Sequence, residues 1–178
     1  MPQATAQGLY IHIPFCHQRC HFCAFYLEIH QARAAEQFVA SLLTELRLYG
    51  EGGVLGPAPL DSIYFGGGTP TFLSDAELER VMQALRAGFE IAPGAECSIE
   101  VDPRTVTEDR LAHLARIGFN RLSFGVQDIE PAVQEAVHRV QPFEQVVALM
   151  ASARALGFES INVDLIHGLP RQTPASLR

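Results

Sequence analysis

A short, cysteine-rich segment directly after an apolar run constrains this chain more than any other feature. Cys16, Cys20 and Cys23 follow one another in a CxxxCxxC spacing, and the strand-like residues 9–13 lead straight into them. Thiolates are soft ligands that select zinc, copper(I) or iron–sulfur clusters. Three thiolates from one loop can hold three corners of a [4Fe-4S] cluster, which leaves the fourth iron open for a substrate or cofactor. The segment therefore predicts a metal centre at the end of the first strand.

Two other uses of clustered cysteines are open from the sequence. A disulfide framework is typical of small secreted domains with paired cysteines, but Cys97 lies far away in an apolar run and we identify no signal peptide before the motif. A zinc site is the stronger rival, because His12, His17 or His21 could supply a fourth ligand. Structural zinc usually takes two separated pairs of ligands, so a single run of three cysteines favours the cluster.

Composition and charge narrow the classes of function. The chain has 178 residues, is 48% hydrophobic and carries a formal net charge of −7, which fits one soluble globular domain. Because lysines and arginines are not clustered, we expect no nucleic-acid partner. No apolar run reaches the roughly 20 residues of a membrane helix, so we expect no membrane span. Free, clustered cysteines indicate a reducing compartment, and we predict a cytoplasmic protein.

Strand-like and helical segments alternate along the chain. The predicted strands are residues 9–13, 62–65, 97–101, 121–126 and 161–165. The predicted helices are residues 34–49, a segment opened by a Ser74–Glu77 capping box, a segment between Thr107 and Gly118, residues 131–138 and residues 143–156. Residues 14–33 are predicted to form a long loop that carries the cysteines. Residues 1–8 are predicted to be an irregular start, and the Gly/Pro-rich residues 50–59 are predicted to be a loose linker. The alternation predicts βα units and a parallel sheet.

Each predicted strand after the first ends in a group that apolar packing does not need. These groups are the glycine run at Gly67, then Glu100, Gln127 and Asp164. In a βα barrel such positions share one rim with the loop after the first strand, and active sites lie on that rim. Two structural readings remain open: the glycines could form a tight turn, and Glu100 could form a structural salt bridge.

The cysteine motif and its surroundings resemble a known family. CxxxCxxC followed by the aromatic Phe25 resembles the radical S-adenosylmethionine (SAM) superfamily, and the sequence from Tyr10 to Cys16 resembles its oxygen-independent coproporphyrinogen III oxidases and their heme-chaperone relatives. The resemblance implies an α/β fold, a partial (β/α)6 barrel truncated after about five strands, that holds a [4Fe-4S] cluster and SAM. It also implies that residues 1–178 are a radical SAM core domain with an incomplete barrel, without the carboxy-terminal substrate domain.

The same resemblance implies roles for individual residues. Cys16, Cys20 and Cys23 would bind the cluster, and the run from Gly66 to Thr71 matches a family segment that binds the methionine part of SAM. The residues implied to contact SAM are Tyr10, Phe22, Gly67, Gly68, Thr69, Glu100, Gln127, Arg139 and Asp164. From the sequence alone, Arg139 could equally be a solvated charge, and Tyr10 or Phe22 could belong to the core.

The implied activity is that of a radical SAM oxidoreductase in heme and porphyrin biosynthesis. A 5′-deoxyadenosyl radical would take a hydrogen atom from a propionate side chain of coproporphyrinogen III. Loss of carbon dioxide and of one electron would then leave a vinyl group, giving protoporphyrinogen IX. The expected partners are a porphyrinogen or heme and an electron donor. The sequence identifies no catalytic base.

Departures from the oxidase pattern keep alternatives open. Phe25 stands where the oxidase has a further cysteine, the segment before Tyr10 is short, and the chain ends before a sixth strand. The missing cysteine and the short start fit a heme chaperone of the same family or a radical SAM enzyme that acts on heme. The segments around Glu100, Gln127 and Asp164 instead favour the oxidase. A non-catalytic zinc-binding module is the remaining alternative.

Overall fold

The structure, a computed structural model, describes residues 7–29, 31–52 and 58–176. Its strands are β1 (Gln7–Ile13), β2 (Phe15–Cys16), β3 (Glu28–Ile29), β4 (Leu60–Gly67), β5 (Ile91–Val101), β6 (Arg121–Gln127) and β7 (Ser160–Leu165). Five of them form one sheet in the order β1-β4-β5-β6-β7, and every neighbouring pair is parallel. The predicted α/β architecture, a partial barrel with about five strands, is confirmed.

The helices connect these strands. They are α1 (Ala32–Gly52), α2 (Asp75–Gly88), α3 (Glu108–Arg116), α4 (Pro131–Ala136) and α5 (Phe143–Ala155), and a 3₁₀ turn covers Pro70–Phe72. The predicted capping box opens α2, because the Ser74 side chain accepts from the Glu77 amide and the Glu77 carboxylate accepts from the Ser74 amide. Thr107 caps α3 through its side chain, which accepts a hydrogen bond from the Arg110 amide. Gly118 then ends the α3 segment at a φ of 101°, which a glycine tolerates.

The two faces of the sheet differ in character. Alternate strand residues such as Ile63, Ile99 and Leu122 are fully buried in one apolar core that they share with the helices. Because side chains alternate along a strand, the residues between them point to the other face. That face carries small and polar side chains, among them Tyr10, His12, Tyr64, Ser98, Glu100, Ser123 and Asp164.

Some boundaries differ from the sequence prediction. β5 begins at Ile91 and not at residue 97, because the strand continues through a bulge: Leu60 pairs with Ile91, but Ser62 pairs with Glu96. Gly94, with a φ of 78°, lies inside that bulge. The predicted loop 14–33 also contains β2 and β3, which pair in parallel.

The ends of the predicted linker and the chain start are only partly described. α1 continues through Gly52, so the beginning of the Gly/Pro-rich segment 50–59 is helical, and residues 53–57 lie outside the described residues. Residues 1–6 of the predicted irregular start lie outside them too, whereas Gln7 and Gly8 belong to β1. Among the described helices, none combines the length and the apolar character that crossing a bilayer requires.

Candidate active site and metal centre

A cavity of about 340 Å³ opens where the cysteine loop meets the carboxyl ends of the strands. Its volume lies within the range of small-molecule sites, roughly 300–1,000 Å³. The sequence-predicted site residues in its lining are Cys16, Cys20, Phe22, Cys23, Gly67, Gly68, Thr69, Glu100, Gln127, Arg139 and Asp164. The structure therefore brings together the loop and the strand ends at the rim that the βα pattern indicated.

The start of the cysteine loop is anchored in the core by Phe15. Its side chain is 2% exposed, stacks on Phe72 with ring centroids 5.5 Å apart and meets Phe38 of α1 edge-on at the same separation. The loop returns to this anchor, since the Glu28 amide donates to the Pro14 carbonyl at 2.8 Å. The position of Cys16, next to Phe15, is fixed by this packing.

The far side of the loop is tied to the end of α4. The His21 amide donates to the Val137 carbonyl at 3.0 Å, and the Gln18 side-chain amide donates to the His138 carbonyl at 2.9 Å. His138 has a φ of 57°, an uncommon backbone conformation for a residue other than glycine. The carbonyls of the two residues that follow α4 therefore hold the cysteine loop.

Cys16 is held by the segment that follows β4. The Gly68 amide donates to the Ile13 carbonyl and the Thr69 amide to the Phe15 carbonyl, both at 2.7 Å. The Thr69 hydroxyl lies 3.3 Å from Cys16 Sγ. Burial raises the pKa of the Cys16 thiol, while the Thr69 hydrogen bond opposes that shift. Cys16 therefore receives a neutral hydrogen-bond partner in an enclosed site.

Cys20 has a charged environment instead. Arg139 Nη1 lies 3.4 Å from Cys20 Sγ, and Arg104 Nη2 lies 3.8 Å from the same sulfur. Asp102 binds both guanidinium groups. Sequence reasoning missed Asp102 and Arg104, although Asp102 directly follows the predicted strand end at Val101 and Arg104 comes after the next residue, Pro103. That position, on the same rim as Glu100, is the signal that could have identified them.

The four cysteines are free thiols, so the disulfide framework is not present. Within residues 7–29, 31–52 and 58–176, no three His, Cys, Asp or Glu side chains converge as the ligands of a single metal ion. A tetrahedral zinc site places its ligands within about 2.0–2.3 Å of one ion, whereas the thiolates of a [4Fe-4S] cluster bind different irons. The three motif thiols line one cavity.

The histidines proposed as zinc ligands are occupied elsewhere. His12 Nδ1 lies 3.1 Å from the Tyr10 hydroxyl. The ring of His17 packs against Phe72 at a centroid separation of 4.7 Å. His21 Nδ1 lies 3.2 Å from the Ala136 carbonyl oxygen. None of these three histidines belongs to the described lining of the cavity that the cysteines share.

Glu100 presents a partly buried carboxylate to the cavity. Its Oε1 accepts from the Tyr64 hydroxyl at 2.8 Å, and its Oε2 accepts from the Gly67 amide at 3.2 Å. Burial raises the pKa of the Glu100 carboxyl, these two hydrogen bonds oppose the shift, and the nearby Asp164 carboxylate raises it again. The carboxyl would therefore gain from a cationic or hydrogen-bond-donating ligand. The structure shows no salt bridge to Glu100 among the described residues.

The ends of β6 and β7 bring two further polar groups to the cavity. Gln127 has a φ of 70° at a register shift between β6 and β7, and such strained positions occur often at functional sites. Asp164 accepts from the Ser123 hydroxyl with both carboxylate oxygens at 2.9 Å. The Ser123 contact orients the carboxylate and leaves its remaining lone pairs for a ligand.

The structure also shows the surroundings of Tyr10, Phe22 and Arg139, which the sequence left open. Tyr10 does not belong to the described cavity lining: its side chain is 55% exposed and stacks on Tyr64 at a centroid separation of 5.9 Å. Phe22 lines the cavity and packs against the small apolar cluster of α4. Arg139 is 8% exposed, so it is not a solvated helix charge.

Comparison with known proteins identifies the family. The model of the family described as the Radical SAM superfamily matches residues 10–178. The chain is 46% identical over 170 residues to the oxygen-independent coproporphyrinogen III oxidase of Salmonella typhimurium, covering 95% of this chain and 37% of that protein. It is 38% identical over 178 residues to the oxidase of the same name from Bradyrhizobium diazoefficiens, covering 99% of this chain and 39% of that protein.

Solved structures agree with these matches. The coproporphyrinogen III oxidase of Escherichia coli, a radical SAM enzyme, superposes with a TM-score of 0.90 at 44% identity, over 96% of this chain and 39% of that one. A radical SAM methyltransferase from Kitasatospora setae has the same fold, with a TM-score of 0.64 at 15% identity over 97% of this chain and 33% of its own. The chain spans less than two fifths of the length of the curated relatives described here. It belongs to the radical SAM superfamily, whose members use a [4Fe-4S] cluster and SAM.

Proposed function

We propose that this chain is the cofactor-binding part of an oxygen-independent coproporphyrinogen III oxidase. The protein would convert coproporphyrinogen III to protoporphyrinogen IX by oxidative decarboxylation. The observation that carries the proposal is the match to the Escherichia coli enzyme, which extends over 96% of this chain with a TM-score of 0.90. The assignment of residues 1–178 to one radical SAM core domain, with substrate-binding parts outside it, belongs to the same proposal.

Cys16, Cys20 and Cys23 are the proposed cluster ligands. They lie around one cavity, two of them with defined hydrogen-bond partners. When bound, the cluster and SAM together supply the 5′-deoxyadenosyl radical that the reaction needs. The chain itself supplies position, charge and enclosure.

The strand-end residues are proposed to hold SAM. The backbone at Gly67 and Gly68 can approach a ligand closely because it carries no side chain, and Thr69 lies beside it. SAM carries an amino group, a sulfonium and ribose hydroxyls, which suit the two carboxylates of Glu100 and Asp164. Tyr10, Phe22, Gln127 and Arg139 complete the proposed set. Tyr10 would contact SAM from the sheet face that carries the small and polar side chains, outside the cavity lining that the structure describes.

A heme chaperone, or a radical SAM enzyme that acts on heme, is the second candidate. The observation that favours it is Phe25, which stands where the oxidase has a cysteine, lines the cavity and is 57% exposed. An exposed aromatic ring at a cavity mouth can stack on a planar porphyrin.

The remaining partners follow from the proposed chemistry. A porphyrinogen is the proposed substrate, and a one-electron donor must reduce the cluster. A reducing cytoplasm would keep the free thiols available for iron. The acidic charge balance supports the prediction that nucleic acid is not a partner.

Glu100→Gln is expected to weaken SAM binding at least about tenfold without changing the iron content. The substitution keeps the size of the side chain but removes the charge that a donor on SAM would meet, and hydrogen bonds to charged groups contribute about 1.5–3 kcal/mol. Isothermal titration calorimetry on the reconstituted protein measures the affinity.

Glu96→Gln is the matched control for this substitution. Glu96 lies on the same strand but pairs with Arg121 at 2.7 Å, and it is not in the described cavity lining. Its SAM affinity should equal that of the unaltered protein. Equal affinities for both variants would mean that Glu100 has a structural role only.

The enzymatic proposal is tested with the full-length protein under anaerobic conditions. Incubation with SAM, an electron donor and coproporphyrinogen III should yield vinyl-containing products together with 5′-deoxyadenosine. Stable heme binding without decarboxylation would favour the chaperone. Loss of heme accompanied by SAM cleavage would favour an enzyme that acts on heme.

A further inference from the structure

A buried group of three charged side chains lies beside Cys20. Asp102 is 6% exposed and accepts from Arg104 Nε at 3.0 Å and from Arg104 Nη2 at 2.6 Å. It also accepts from Arg139 Nη1 at 3.3 Å. One carboxylate thus binds two guanidinium groups, and we refer to Asp102, Arg104 and Arg139 as the Arg–Asp–Arg cluster.

Both guanidinium groups of this cluster also face the sulfur of Cys20. Arg139 Nη1 lies 3.4 Å from Cys20 Sγ and Arg104 Nη2 lies 3.8 Å from it. The Arg–Asp–Arg cluster carries two positive charges and one negative charge, so it has a net charge of about +1. Since an unbalanced buried charge is destabilising, the negatively charged sulfur of a cysteine ligand to a bound cluster would offset this charge at Cys20.

The two arginines are also held from their other sides. Arg104 Nη1 donates to the His138 carbonyl at 3.4 Å, and Arg139 Nε donates to the Gly125 carbonyl at 3.0 Å. These contacts leave few alternative orientations for the guanidinium groups. Cys16, in contrast, has the neutral hydroxyl of Thr69 as its side-chain hydrogen-bond partner, so Cys16 and Cys20 differ in their electrostatic surroundings.

We propose that Arg104, oriented by Asp102, is a positioning residue that raises the reduction potential of the [4Fe-4S] cluster through Cys20. The inference rests on the proposed function, in which Cys20 binds the cluster. Hydrogen bonds to the sulfur atoms and the local charge set the potential of an iron–sulfur cluster. Reduction adds negative charge, and a nearby guanidinium stabilises that added charge.

Arg104 provides a cleaner test than Arg139. Arg139 is also a proposed SAM contact, so its substitution would change two properties at once. Asp102 and the His138 carbonyl hold the Arg104 guanidinium in the orientation that faces the sulfur. Its effect is therefore expected on the potential even when SAM is absent.

The test compares the unaltered protein with Arg104→Gln and Arg121→Gln. Each reconstituted protein is titrated with dithionite, and the reduced cluster is followed by electron paramagnetic resonance. For Arg104→Gln, the ratio of reduced to oxidised cluster at a fixed potential should fall about tenfold, a downward shift of about 59 mV for one electron. Arg121→Gln removes the same charge from the first residue of β6, where Arg121 pairs with Glu96, and should leave the potential unchanged.

The outcomes separate this inference from the function on which it rests. A full iron content in Arg104→Gln with an unchanged potential would overturn the role of Arg104 and leave the cluster assignment intact. An unaltered protein that takes up no iron would overturn both. If only Arg104→Gln fails to load iron, Arg104→Met is measured instead. Methionine keeps a long, flexible side chain at this position but removes the charge. A lowered potential then supports the inference, and an unchanged one overturns it.

Discussion

Replacing Cys20 with alanine is expected to abolish cluster binding. The unaltered protein, reconstituted anaerobically, should hold about four irons per chain, as the cluster type requires. Cys20 is one of three motif thiols that line the cavity. Its loss leaves two thiolates, and it also leaves the positive charge of Arg104 and Arg139 without the sulfur that both face. Iron analysis and visible absorbance should both show a near-complete loss.

Cys97→Ala is the matched control. Cys97 is also a buried free thiol, but it lies on β5 within the apolar core. Alanine there should leave the iron content unchanged. Iron retained by Cys20→Ala, or stoichiometric zinc in place of iron in the unaltered protein, would contradict the proposed metal centre.

The architecture was predictable because it depends on local patterns. The apolar runs that end at Phe65 and Val101 alternate with helical periodicities, and this alternation is sufficient for a parallel βα arrangement. Strand ends in such an arrangement meet on one rim. For that reason Glu100 and Asp164 could be placed at one site from sequence alone, and the structure brings both to one cavity.

The surroundings of Cys20 were not predictable by the same reasoning. The sulfur contacts Arg104 across 84 positions and Arg139 across 119 positions of sequence. No periodicity links these residues, and an arginine after a strand is most often solvated. The docking of the cysteine loop onto the residues after α4 places Cys20 beside Arg139, and Arg104 reaches the same sulfur from the end of β5.

Two local features were missed for different physical reasons. β2 and β3 have two residues each, too few to show the alternation of a strand. β5 passes through Pro93 and Gly94, which normally indicate a turn. The bulge between the two pairings with β4 absorbs the extra residues.

Gly68→Ala is expected to have the second largest effect. A Cβ at this position would lie 2.7 Å from the Phe15 carbonyl oxygen and 3.1 Å from Cys16 Sγ. The Phe15 backbone cannot easily move, because the Phe15 ring is packed between Phe38 and Phe72. The added methyl group must therefore displace the Cys16 side chain or separate β2 from the segment after β4.

Overpacking of this kind typically destabilises a protein by about 1–3 kcal/mol. A displacement of Cys16 should also lower the iron content, because the geometry of the metal ligands is set by their surroundings. Thermal unfolding measures the first effect and iron analysis after reconstitution measures the second. In Gly68→Ala, both the stability and the iron content should be lower than in the unaltered protein.

Gly88→Ala shows whether the effect is specific to the site. A Cβ at Gly88, the last residue of α2, would meet only the Leu46 carbonyl oxygen, at 3.9 Å. Alanine is favoured over glycine in a helix by up to about 1 kcal/mol, so this variant should be at least as stable as the unaltered protein and load iron fully. If Gly68→Ala also loads iron fully, a methyl group at position 68 does not displace Cys16 in the iron-loaded protein. Thr69 would then be left as the contact from this segment that positions Cys16.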